Sequence, residues 1–208
     1  EEIKGTLPEG WVEAETRLRA LLGNVAMGGQ PAAEAVRRIG NAIDLFQHQL
    51  LNRDREAALF LLIHRAVTAF TGYSALHSLL TGTVVHLLAT PLKLSPAESA
   101  SLTRAALTMN VGMTALQDTL ANQKLRPSPV QQAQIDKHTA EGARMLQAAG
   151  VTDQLWLAVV FKHHDNLPAG IPLAERPPAD KLARILQVVD RYTAAMSPRV
   201  SRAGRESK

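Results

Sequence analysis

The chain has 208 residues, of which 46% are apolar, 20% are charged and 4% are aromatic. This composition excludes a disordered chain and a collagen, and the absence of cysteine excludes a disulfide scaffold, thiol catalysis and a zinc site with cysteine ligands. The 23 basic and 19 acidic residues give a net charge of +4, but four of the basic residues and one acid lie at 199–208. The remaining +1 does not predict nucleic-acid binding, which needs a clustered basic surface.

The sequence does not predict a membrane protein. The longest apolar run, Ala57 to Ile63, is far too short to cross a bilayer. The first residues, Glu1 to Lys4, contain neither an initiator methionine nor an apolar signal region. We therefore expect a cytoplasmic protein, cut from a longer chain in which a sensor domain precedes this one.

Apolar residues recur every three or four positions along almost the whole chain, which predicts an all-α fold. In chain order the expected helices span residues 11–23, 32–52, 55–70, 74–90, 95–108, 114–121, 129–148, 152–164 and 178–196. Capping boxes mark two of the starts, at Ser95–Glu98 and at Ser128–Gln131. The proline-rich stretch 168–178 predicts a loop, and the polar residues 52–55 predict a soft boundary near residue 53.

Seven histidines are the main candidates for chemistry. Three of them lie inside apolar helical stretches and are expected in the core or at its boundary: His48, His64 and His86. The others form an ordered series with one carboxylate: His77, His138, His163, His164 and Asp190. Imidazoles and carboxylates are ligands for Zn, Fe, Mn or Ni, and helical bundles assemble such sites from several helices. The series predicts a metal site, with ordinary hydrogen-bonded histidines, and an ion pair of Asp190 with a nearby arginine, as the alternative.

Sequence motifs surround these residues in a fixed order. They are Tyr73-Ser74-Ala75-Leu76-His77-Ser78, Leu94-Ser95-Pro96-Ala97-Glu98, Lys124-Leu125, His138 with Gly142, His163-His164-Asp165, Ala183-Arg184-Ile185 with Asp190 and Tyr192, and Arg199-Val200-Ser201-Arg202. The series resembles the HD-GYP family, bacterial HD-superfamily phosphohydrolases that cleave cyclic di-GMP. The resemblance implies an HD-domain helical bundle at 54–199, an N-terminal helical lead-in at 1–53 and a basic tail at 200–208.

The chain departs from this family where the name-giving His-Asp pair should stand. Met109 and Asn110 replace the pair and Met113 replaces a lysine, while Gly112 is retained. In the family the missing aspartate bridges two metal ions, which at a separation of about 4 Å repel by on the order of 16 kcal/mol at an effective dielectric of 20. The neutral Asn110 cannot offset this repulsion, so we expect no metal pair and no catalytic residue.

The resemblance also assigns the surviving ligands. His77 and Asp190 belong to a metal position that has lost two of its four ligands. The second position, at His138, His163 and His164, has lost only the bridge. No cofactor is expected, and a single Zn, Fe, Mn or Ni ion at these three histidines is the alternative.

Two arginines of the last motif, Arg199 and Arg202, are expected to bind nucleotide, because in the resembling family such residues contact the phosphates. A solvated tail is the alternative.

Three functions remain open at this point. The preferred one is a catalytically impaired signalling domain in cyclic di-GMP signalling, acting as a nucleotide sensor or as a docking module for a protein such as a diguanylate cyclase domain. The second is a metal-dependent cyclic di-GMP phosphodiesterase with a single-metal site. The third is a helical interaction domain in which every histidine is incidental. A homodimer is compatible with each of them.

Overall fold

Helices supply the regular structure of the computed structural model, which describes residues 3–69, 71–197 and 199–200. They are α1 (Leu7–Met27), α2 (Gly29–Asp44), α3 (Arg55–Thr68), α4 (Tyr73–Leu88), α5 (Pro96–Thr108), α6 (Thr114–Ala121), α7 (Pro129–Ala148), α8 (Gln154–Lys162) and α9 (Pro178–Met196). A π-helical segment (Leu45–Leu51) follows α2, and 3-10 turns occupy Val111–Met113 and Leu173–Glu175. No strand occurs in these described ranges, so the predicted all-α fold is confirmed. Within the same ranges every helix is too short or too polar to span a bilayer.

Most predicted helix bounds agree with the structure to within three residues, and the exceptions have local causes. The first helix begins at Leu7 rather than residue 11, because Thr6 and Glu9 form a capping box ahead of the expected start. The helix expected at 32–52 is α2, beginning already at Gly29, continued by the π-helical segment.

The end of α8 differs from the prediction in a way that shapes the site. Asp153 accepts hydrogen bonds from the backbone of Leu155 and Trp156, which starts this helix at Gln154. The helix ends at Lys162, so that His163 is its C-cap and His164 lies beyond it. The observed helix is therefore two residues shorter at each end than the helix expected at 152–164.

The lead-in helices pack directly on the rest of the bundle. The indole of Trp11 is buried and donates a hydrogen bond of 2.8 Å to the carbonyl of Ala58. Glu15, which is 3% exposed, accepts from Arg65 of α3. The boundary near residue 53 stays a prediction, but these contacts tie the two sides of it together.

A close backbone approach fixes the turn that follows α5. A Cβ added to Gly112 would lie 2.5 Å from the carbonyl oxygen of His138 and 2.9 Å from the amide nitrogen of Gly142. Both are backbone atoms of α7, so they cannot rotate away. This turn carries Asn110 at its start, and the glycine therefore holds Asn110 beside the helix that bears His138.

Replacing Gly112 with alanine should lower the free energy of unfolding by about 2 kcal/mol or more, because the turn and α7 must separate. Urea denaturation measures the change. Gly23→Ala is the matched control: it lies within α1 with open space around the added Cβ, so it should be neutral or stabilising by up to about 1 kcal/mol. Equal stability of the two variants would contradict the close approach.

Candidate metal centre

Three histidines from two parts of the chain meet at one point. His138 comes from α7, and His163 and His164 come from the end of α8. One ring nitrogen from each lies within 4.8 Å of the others. His138 and His163 are 3% and 0% exposed, whereas His164 is exposed on the outer side of the group. We call these three residues the histidine cluster.

The hydrogen bonds of the two buried rings determine which nitrogens carry protons. Nδ1 of His138 lies 2.5 Å from the carbonyl oxygen of Ile135, and Nδ1 of His163 lies 2.7 Å from that of Val160. A carbonyl oxygen only accepts, so each Nδ1 must donate. In the neutral rings both Nε2 atoms then carry bare lone pairs, and these two atoms are 3.4 Å apart. Two lone pairs that face each other repel unless a proton or a cation lies between them. The two Nε2 atoms are therefore arranged to share one.

A divalent metal ion fits this arrangement. Ligand nitrogens at 2.0–2.1 Å from a tetrahedral ion are about 3.3–3.4 Å apart, which matches the separation of the two Nε2 atoms. The Nδ1 hydrogen bonds to backbone carbonyls are the orienting contacts that metal-binding histidines ordinarily make. His138, His163 and His164 would hold the ion, and their three nitrogens leave one tetrahedral position open.

Loss of hydration keeps the cluster in the form that binds metals. Burial lowers the pKa of His163 to about 3 and also lowers the pKa of His138. One side of His164 reaches solvent, but packing against its neighbours desolvates the rest of the ring and lowers its pKa as well. The negative charge of Asp190 opposes these shifts without cancelling them. The imidazoles are therefore neutral at pH 7, with lone pairs available to a cation.

The other two predicted ligands contact each other. Nε2 of His77 on α4 lies 2.8 Å from Oδ1 of Asp190 on α9, and both residues are buried. Burial alone would raise the pKa of Asp190, but the hydrogen bond from His77 and the nearby imidazoles hold it below its ordinary value. Asp190 is thus ionised at pH 7 and engaged by His77. The alternative, an ion pair of Asp190 with Arg184 or Arg191, does not form in the described structure, where Arg184 donates to Gln187.

The two residues that the sequence resemblance places at a His-Asp pair are also internal. Met109 is fully buried and Asn110 is 5% exposed. The side-chain oxygen Oδ1 of Asn110 is buried and has no hydrogen-bond partner among the described residues. Nδ1 of His77 and Oε1 of Gln117 are in the same condition. A buried polar atom without a protein partner is ordinarily satisfied by a water or an ion, so these three atoms mark polar positions suited to one.

Sequence reasoning missed Gln117, a buried residue of α6 whose Oε1 has no partner among the described residues, because an amide in a short helix carries no signal. It placed Tyr73 in a motif but did not predict a contact of this residue with His77. The ring of Tyr73 stacks on that of His77, with centroids 5.5 Å apart and an interplanar angle of 12°.

The predicted nucleotide-binding arginines lie at the end of the described chain. The guanidinium of Arg199 donates to the phenol oxygen of Tyr73, whereas Arg202 lies outside the described residues. Met113, which the sequence resemblance places at a lysine position, lines an apolar groove of about 1040 Å³ between α6 and α7. None of the three histidines of the cluster lines that groove.

The other histidines are separate from the site. His48 and His64 are exposed, so the expectation that they lie in or at the core is wrong for these two. His86 is half-buried, with Nδ1 3.2 Å from Nε2 of Gln47. The clustering of the remaining histidines does not fit a domain in which every histidine is incidental.

Sequence comparison agrees with this geometry. Residues 48–208, about three quarters of the chain, match the family described as the HD domain. The chain belongs to the HD-domain family. No curated protein and no solved structure matches it. The HD domain has the fold of metal-dependent phosphohydrolases and typically binds divalent metals, and here the histidine cluster is the group of side chains suited to one.

Proposed function

We propose that this HD domain is a catalytically impaired, HD-GYP-like signalling domain that binds one divalent metal ion and senses cyclic di-GMP. The observation that carries the proposal is the neutral side chain of Asn110, buried with a bare oxygen beside the helix that bears His138. An amide there leaves the histidine cluster intact but supplies no negative charge for a second ion.

The distribution of charge supports one ion rather than two. Asp190 is the buried carboxylate of the site, and it is already hydrogen-bonded to His77. Two dications would bring a charge of +4 against this single −1. Their mutual repulsion, on the order of 16 kcal/mol at about 4 Å and an effective dielectric of 20, has no anionic bridge to offset it.

The remaining side chains favour binding over cleavage. A metal ion in the histidine cluster supplies Lewis acidity toward a phosphate oxygen and lowers the pKa of a bound water. The chain's own contribution is to orient His138 and His163 through their Nδ1 hydrogen bonds and to keep them neutral by burial. Met113 offers no cation to a substrate phosphate. Ligand recognition is then left to Arg199 and Arg202, whose guanidinium groups suit phosphate oxygens.

The alternative is a cyclic di-GMP phosphodiesterase that works with the single ion. The opposed lone pairs of His138 and His163 favour it, because they are arranged for a metal whether or not a second ion is present. Hydrolysis of cyclic di-GMP distinguishes the phosphodiesterase from the catalytically impaired sensor. Docking onto a protein such as a diguanylate cyclase domain, with or without homodimer formation, is the form that signalling takes if no nucleotide binds.

Metal analysis, calorimetry and an activity assay on one preparation test the proposal. Protein purified without a nickel column should contain one equivalent of Zn, Fe, Mn or Ni, or bind one on titration. It should bind cyclic di-GMP below about 100 μM and show no hydrolysis with added Mn, Fe or Zn. Hydrolysis with any of these metals would replace the proposal by the phosphodiesterase alternative, and failure to bind nucleotide would leave protein docking.

A further inference from the structure

An unbroken chain of contacts connects the segment after α9 to the buried site. Nη2 of Arg199 lies 2.7 Å from the phenol oxygen of Tyr73, and its guanidinium carbon lies 4.8 Å from the centroid of the same ring. The imidazole of His77 also stacks on this ring, with the centroids 5.5 Å apart. His77 in turn contacts Asp190. A change at Arg199 is therefore only two side chains away from the carboxylate of the site.

Within the part of the chain that the structure describes, the contacts of Arg199 are with Tyr73 and not with a carboxylate. Among residues 3–69, 71–197 and 199–200, no carboxylate forms an ion pair with it, whereas Arg144 on the surface pairs with Glu141. Its contacts with Tyr73 are a hydrogen bond to a neutral phenol and the face of an aromatic ring. The hydrogen bond to Tyr73 is charge-assisted through its donor alone, whereas a phosphate offers the same guanidinium an anionic acceptor and two parallel hydrogen bonds. Phosphate is thus a stronger partner for Arg199 than Tyr73.

Named contacts hold the segment that follows α9. The amide and the hydroxyl of Ser197, a residue that is 1% exposed, both donate to the carbonyl of Thr193, at 3.2 and 3.0 Å. The amide of Val200 donates to the carbonyl of Ala121 at the end of α6, at 2.9 Å. Arg199 lies between these two anchors, so its side chain can exchange the phenol oxygen of Tyr73 for another acceptor while the backbone on either side stays in place.

We propose that Arg199 acts as a latch. Without ligand, its guanidinium is bound to the phenol of Tyr73. When a phosphodiester binds this guanidinium, it displaces the phenol, and Tyr73 is released. The release frees one face of the ring that packs on His77, so that nucleotide binding changes the junction of α4 and α9. The latch rests on the proposed function, because it takes cyclic di-GMP as its phosphodiester.

Affinity measurements give opposite signs for the two members of the latch. Because Tyr73 competes with the ligand for Arg199, Tyr73→Phe should tighten cyclic di-GMP binding about threefold to tenfold, the worth of one ordinary hydrogen bond. Arg199→Ala should weaken it at least about tenfold. Calorimetry measures both. If Tyr73 only supports the fold, the phenylalanine variant binds equally well or more weakly, and that result overturns the latch.

Tyrosine NMR tests the release directly and independently of affinity. The chain has two tyrosines, and Tyr192 is half exposed, so a Tyr192→Phe protein labelled with ¹³C-tyrosine reports Tyr73 alone. Arg199→Ala should shift this signal, since it removes the cation over the ring. Saturating cyclic di-GMP should move the signal of the protein that retains Arg199 toward the same position.

Inorganic pyrophosphate, titrated separately, distinguishes failure of the latch from failure of the proposed function. If pyrophosphate moves the Tyr73 signal and cyclic di-GMP does not bind, the latch is supported and nucleotide sensing is wrong. If cyclic di-GMP binds and the signal stays in place, sensing is retained and the latch is wrong. If neither anion moves the signal, the latch is overturned.

Discussion

Replacing His163 with alanine should lower the affinity for Zn²⁺ at least about 100-fold, because the cluster loses the ligand held most rigidly by burial and by its Nδ1 hydrogen bond. The loss should appear as a fall from one bound equivalent to none in a competition titration with a chelating dye. The effect is large because the two remaining imidazoles cannot close a tetrahedral shell by themselves.

Two further variants separate loss of a ligand from loss of the fold. His163 is fully buried, and its removal leaves a cavity, whereas His164 is exposed and His164→Ala should lose Zn²⁺ affinity without a comparable loss of stability. His64→Ala removes an exposed histidine of α3 and should leave the affinity unchanged. Equal Zn²⁺ affinity of the His64 and His164 variants would show that binding occurs elsewhere on the surface.

Local signals explain why the helices were predictable. The capping boxes at Ser95 and Ser128 form as expected, and α5 and α7 begin immediately after them. Each cap satisfies backbone donors within four residues, so no distant part of the chain is needed to define it. The exceptions were also local: the Thr6–Glu9 box and the Asp153 cap follow the same rules.

The candidate ligands could be identified from the sequence, but their protonation and their contacts could not. The proton positions of His138 and His163 follow from the carbonyls of Ile135 and Val160, which face them only in the folded bundle. The pKa of His163 depends on complete burial, which a residue following a helix end does not reveal. The contact of Arg199 with Tyr73, which in turn stacks on His77, joins positions more than 100 residues apart. Such contacts arise from packing of distant segments, which periodicity along one helix cannot report.

Introducing a His-Asp pair with Met109→His and Asn110→Asp should create a second metal position. The new carboxylate supplies the anion that offsets repulsion between two dications, and the new imidazole joins His77 and Asp190 as a ligand. Mn²⁺ titration should then give two equivalents instead of one, and hydrolysis of cyclic di-GMP should rise from undetectable to measurable. Asn110→Asp alone, lacking the imidazole, should bind the second ion more weakly.

The stability of the double variant provides a check that does not depend on activity. A buried carboxylate at position 110 without a metal should lower the free energy of unfolding by about 2 kcal/mol or more in chelator, and Mn²⁺ should restore it by binding only the folded state. Asn122→Asp adds the same charge at an exposed position after α6, and its stability should not depend on Mn²⁺. If the double variant still binds one ion and its free energy of unfolding is the same with and without Mn²⁺, then residues 109 and 110 do not occupy the positions of the family's His-Asp pair. The neutral amide at Asn110 would then no longer support the proposal that this site binds one ion rather than two.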